Sequence, residues 1–180
     1  MDRVVAARAI AVQVAARKAD PATLASVRNK INAAIAQVDA VQGAGAMLAL
    51  NGQWATLKHQ MQAVVAAPVS SPSKALADYD GLASGIEGLM LIAADGNNSN
   101  MILDPGNDAY DVMDATLNRL TALVDLAGQA GAMQTAVAAS GTTTLAKRLT
   151  LEDLKGTILP RLSNSDPDYA SALQTRTMPR

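Results

Sequence analysis

"YDVMDATLNRLTALVDLA" occupies residues 110–127, and its apolar spacing decides the fold class. Tyr110, Met113, Leu117, Leu120, Val124 and Ala127 follow one another at steps of 3, 4, 3, 4 and 3. That is the period of one helix face; a strand would alternate every second residue. Asp111, Asp114, Asn118, Thr121 and Asp125 repeat the spacing one position on, which predicts a polar, solvated stripe beside the apolar seam.

The same period extends outward over most of the chain. Val4, Ala7, Ala11 and Val14 mark a first helix. Asp20 and Pro21 then supply an N-cap and a first-turn proline. From there Leu24, Val27, Ile31, Ala34, Val38 and Val41 hold a seam that resumes as Leu50, Trp54, Leu57, Met61 and Val64. Read as one helix over 21–66, this stretch would be about 70 Å long; the seam slips at Asn51–Gly52, a place for a kink or a helix end. Ser71 and Pro72 open a helix over 72–95, with Leu76, Tyr79, Leu82, Ile86 and Leu89 on its seam. The stretch quoted above belongs to a helix over 107–130, and the "TLED" of residues 150–153 reads as a capping box opening a short helix. The fold expected is all-α, an antiparallel bundle of long helices resembling a four-helix bundle.

Composition agrees. Phe and Cys are absent, aromatics make up 2% of 180 residues, and Ala dominates the apolar share. Ala is the best helix former and lets helices approach closely. Fifteen basic residues nearly cancel sixteen acidic ones, so no electrostatic footprint for nucleic acid is present. No apolar run reaches the roughly 20 residues of a membrane-spanning helix. The chain opens inside an amphipathic pattern and ends on "QTRTMPR", which reads like a segment cut from something longer.

Residues that could carry chemistry are few. "DGNNSN" begins like a calcium loop at Asp95, Asn97 and Ser99, but the twelfth place, which needs a bidentate carboxylate, is Gly106. No metal site is expected. The single histidine, His59, falls on the polar side of its helix, and no nucleophile motif accompanies it. The "GAG" of residues 43–45 lacks the third glycine of a dinucleotide loop and follows no strand. Neither a catalytic set nor a cofactor is expected.

"SNMILDPGNDAYDVMD", residues 99–114, is the most distinctive segment. With the "LNRL" that follows, it resembles a pattern in helical-bundle sensory domains of bacterial methyl-accepting chemotaxis receptors, diguanylate cyclases and sensor kinases. Ser99, Asn100, Leu103, Asp104, Pro105, Tyr110, Met113, Asp114, Arg119 and Leu120 carry the match. Ala109, Asp111 and Thr121 depart from it. The resemblance implies one sensory domain over 1–180, lying outside the inner membrane in the periplasm, between two transmembrane helices of a membrane-anchored parent. It implies a homodimer that passes a helix displacement to a signalling partner.

Within the motif, the plainer reading makes the polar letters structural, with Asp108 capping the following helix. The sharper reading gives Asn100, Tyr110 and Arg119 a ligand role. Arginine holds carboxylates bidentately and keeps its charge, so an organic anion would be expected on Arg119 or on Arg8, the other arginine well inside a helix near a seam. The alternative function is a structural or protein-interaction bundle without a small-molecule ligand.

Overall fold

A computed structural model of the chain describes residues 1–41, 50–94 and 113–175, the side chains of 118 and 164–175 excepted. Among these residues the regular structure is all helical. In chain order the helices are α1 (Asp2–Ala15), α2 (Pro21–Ala40), α3 (Asn51–Ala66), α4 (Pro72–Ala94), a π-helical segment (Asp114–Leu120) that runs directly into α5 (Thr121–Ser140), and α6 (Leu145–Thr175).

The helix starts follow local chemistry. The Asp20 carboxylate accepts from the Ala22 N–H at 2.8 Å, with Pro21 in the first turn of α2. Ser71 Oγ accepts from the Lys74 N–H at 3.2 Å ahead of Pro72 in α4. Gly141 closes α5 with φ 65°, a left-handed conformation that glycine adopts without strain. The final helix starts earlier than its capping-box signal suggests. Thr144 Oγ1 accepts from the Lys147 N–H at 3.3 Å, and Thr150 lies inside the helix with its hydroxyl bonded to the Ala146 carbonyl.

The single helix expected over 21–66 is instead an antiparallel hairpin. α2 ends at Ala40 and α3 returns alongside it. At one end Asp39 accepts from Trp54 Nε1 at 2.8 Å and from Lys58 Nζ at 2.6 Å. At the other, Arg28 donates to the Val64 and Ala67 carbonyls at 3.3 and 2.8 Å, and its Nε to the Tyr79 hydroxyl at 3.2 Å. Doubling back lets both apolar seams face one core, which a single rod about 70 Å long could not do.

α1 is the central element. It packs against α4, α5 and α2, while α3 lies on α2 and α4, and α6 on α5 and the π-helical segment. Ala7, Ala11, Ala83 and Ala132 are wholly buried, with Val12, Ile31 and Tyr79 filling the space around them. Small residues at these crossings let the backbones approach closely. Gly128 is the extreme case: a Cβ there would collide with Val5 Cγ1 and stand 2.5 Å from Arg8 Nη2.

The predicted faces of residues 110–127 are rotated after residue 113. Met113 is buried as expected. Beyond the π-helical segment, however, Leu120 and Val124 are 42% and 43% exposed, while Thr121 and Asp125 are buried at 9% and 4%. Thr121, Leu123, Asp125 and Ala132 are buried; Thr121, Asp125 and Ala132 share one line, where the uninterrupted pattern points to Leu120, Val124 and Ala127. The cause is geometric. A π turn bonds residue i to i+5 and so admits one extra residue, and one residue of an α-helix is about 100° of rotation. The inward line is therefore shifted by one position, and Thr121 and Asp125 of the stripe expected to be solvated face the core.

Candidate functional site

That rotation builds the most unusual side-chain cluster in the described structure. Asp125, turned inward on α5, meets Arg8 on α1. Arg8 Nη1 donates to Asp125 Oδ1 at 2.8 Å, and Nη2 to the Asp125 backbone carbonyl at 2.8 Å. Nη1 also donates to Asp80 Oδ1 on α4 at 2.6 Å. The Arg8 side chain is wholly buried. Gln129, one turn after Asp125, donates to the other carboxylate oxygen at 2.7 Å. Three helices are thus pinned at one point by one guanidinium, and Gly128 provides the room in which it lies.

Glu87 adds a third carboxylate, seven residues after Asp80 on the same helix. Its Oε1 is buried and accepts no hydrogen bond, and the Nε of Arg8 is likewise buried and unpartnered. Burial pushes the Glu87 carboxyl above its ordinary range, the Asp125 charge adds to the effect, and Arg161 and Arg8 partly offset it. Asp80 is also raised, chiefly by burial, against the opposing hydrogen bond and charge of Arg8. The cause is shared: each carboxylate loses water, and one arginine cannot compensate all of them.

Of the residues named from sequence, Arg8 is therefore a buried structural cation whose two terminal nitrogens already have acceptors within the protein. Arg119 lies in the π-helical segment, 39% exposed, and its Nε donates to Asp114 Oδ2 at 2.8 Å. The two arginines have separate carboxylate partners. Asn100 and Tyr110 lie outside the described residues, as do Asp104, Asp108 and the calcium-like stretch. Among the described residues no group of three His, Asp or Glu side chains is placed to hold a metal ion, and no helix is long and apolar enough to cross a membrane.

Sequence reading passed over Asp80, Glu87, Asp125 and Gln129. A signal existed for the first two. Asp80 and Glu87 share a line with Leu76 and Ala83 at steps of 4, 3 and 4, so both acids sit on a largely apolar face, as Arg8 does between Val4 and Val12. One cation and two acids on separate apolar faces suggest a buried pair. Asp125 carried no such signal, because only the π turn brings it inward.

Two hollows accompany the cluster. A groove of about 700 Å³ runs between α2 and α3, with Arg28, Asn29, Asn32, Asp39, Lys58 and Gln62 among its walls. An apolar cavity of about 430 Å³ opens where α1 and α5 end and α4 and α6 begin; its lining includes Ala16, Pro72, Leu76, Met133, Ala139 and Lys147.

Comparison with known proteins gives no match among protein-family models, among curated proteins or among solved structures.

Proposed function

We propose that the chain is a non-enzymatic sensory domain of a membrane-anchored signalling protein of the chemoreceptor type. In this reading it is one antiparallel, four-helix-bundle-like domain on the periplasmic side, working as a homodimer and passing a helix displacement across the membrane. The observation that carries the reading is the join between the motif of residues 99–114 and the π-helical segment that begins at Asp114. π-helical turns are rare and are found frequently at functional sites. This one sets which face of α5 meets α1, and the Arg8 cluster holds that register. A packed interface of this kind changes between discrete arrangements and does not deform continuously, which is what a signalling displacement requires. A ligand would act by binding one arrangement more tightly than the other.

The test is a thermal-shift and calorimetric screen of the chain against organic acids, amino acids and aromatic compounds. A binder at 100 times its dissociation constant adds about 2.7 kcal/mol of stability. A panel without any saturable binder would count against the sensory reading.

A second reading, a protein-interaction bundle without a small-molecule ligand, is favoured by α6. Leu145, Leu149, Leu159 and Leu162 are 56–72% exposed along that helix. Exposed apolar residues gathered on one element suit a protein partner. Sedimentation of the isolated chain with these leucines replaced by Gln separates self-association through α6 from a monomer.

A further inference from the structure

The apolar cavity at the α1–α4–α5–α6 end combines a wall chemistry and a charge pattern that specify a ligand class. Leu76, Met133, Ala136 and Ala139 make its body apolar, and its volume of about 430 Å³ falls in the range of small-molecule pockets. Lys147 enters the lining from the first turn of α6. Arg148 follows it, and Arg17 and Lys18 follow the cavity residue Ala16. Arg17 takes φ 57° as the chain closes α1. None of these four has a carboxylate partner among the described residues, and the cavity lining contains no acid.

The helix ends do not decide the sign. The N-termini of α4 and α6 and the C-termini of α1 and α5 meet here, and their partial charges of about half a unit each roughly cancel. Lys147 is then the one charged side chain in the lining. The cavity therefore offers an apolar body with a single cation in its wall. We infer that it binds a soluble amphipathic monocarboxylate, the acyl chain against Leu76 and Met133 and the carboxylate on Lys147. This rests on the reading of the chain as a ligand-binding sensory domain and names a place and a ligand class for it. It moves the anion site away from Arg8, whose terminal nitrogens are occupied.

Calorimetric titration of the full chain with hexanoate, heptanoate, octanoate and 1-octanol tests it. Affinity should rise about fourfold per added methylene, the equivalent of about 0.8 kcal/mol per buried CH₂, until the cavity is full. Lys147→Gln should weaken octanoate about tenfold, the scale of one charge-assisted hydrogen bond at a half-exposed site, and leave 1-octanol unchanged. Ala139→Leu, a helix-compatible change that fills the wall, should weaken every member of the series while the melting curve stays cooperative. Absence of saturable binding, an affinity independent of chain length, or octanoate binding indifferent to Lys147→Gln would each overturn the inference. So would sedimentation of the chain with phosphatidylglycerol vesicles in the absence of octanoate binding, which would reassign Lys147 and the neighbouring exposed cations to a membrane surface. Saturable binding of another compound from the screen without binding of this series would remove the cavity site and leave the sensory reading standing.

Discussion

Arg8 holds Asp125 twice, through the carboxylate and through the backbone carbonyl of the same residue, at 2.8 Å each. The second bond makes the contact specific to α5's rotation as well as to the side chain. An α5 turned back by one residue would carry that carbonyl away even if the carboxylate could follow.

Removing Arg8 leaves Asp125 buried without a cation, and removing Asp125 leaves Arg8 with Asp80 as its one acid partner. Asp125→Ala or Arg8→Ala should lower stability by about 3–5 kcal/mol, the scale of a broken buried ion pair. The triple change Arg8→Met, Asp80→Asn, Asp125→Asn should recover a large part of that loss, since none of the three paired charges is then left stranded. Chemical denaturation of the four proteins measures it, and equal losses in the single and triple variants would show that the charges contribute little beyond packing.

Gly128 and Gly131 make a matched pair on α5. A Cβ at Gly128 meets Val5 and Arg8, whereas one at Gly131 meets nothing within 4 Å. Gly131→Ala should stabilise by up to about 1 kcal/mol through helix propensity. Gly128→Ala gains the same propensity but overpacks the α1–α5 contact, for about 1–3 kcal/mol of loss. Opposite signs in thermal melts are expected; two gains would mean that α1 and α5 lie further apart.

The rotated register is open to a mutational check of its own. Val124→Gln, on the exposed side, should change stability by about 0.5 kcal/mol or less. Leu123→Ala, 9% exposed on the side of α5 opposite Asp125, should cost about 2–5 kcal/mol. An uninterrupted α-helix from residue 110 puts Val124 on the buried seam, so a large loss in Val124→Gln would favour that register.

Stability should also depend on pH through Glu87 and Asp80. Their carboxyls are raised in the folded state from ordinary values of 4.5 and 3.8. Between the unfolded and folded values the native state binds more protons. Their contribution is therefore fully present below the ordinary carboxylate range and is lost as pH rises through the folded values. Glu87→Gln removes the Glu87 part. It should raise the melting temperature at neutral pH and flatten its decline as pH rises above the ordinary carboxylate range. An unchanged slope in Glu87→Gln would assign the effect elsewhere.

Much of the helical framework was legible because it is local. The spacing of Leu24 and Ile31, the Asp20–Pro21 start and the Ser71–Pro72 start each involve residues within a turn or two of one another, and the structure realises all of them. Helical class follows from Ala content and period, quantities that every segment carries by itself. Two decisions were not local. Whether residues 21–66 form a rod or a hairpin depends on which faces share a core, and it was settled by contacts such as Asp39 with Lys58 and Arg28 with the Ala67 carbonyl. Whether Asp125 faces water or Arg8 depends on one extra residue in the π-helical segment. Such a residue leaves no mark in a pattern of threes and fours, because Leu120–Val124 and Thr121–Asp125 have identical spacing. Only the packing of α5 against α1, with Gly128 permitting the approach and Arg8 supplying a buried cation, selects the second line over the first. Period is written in the chain; rotation about the helix axis is chosen by the neighbours.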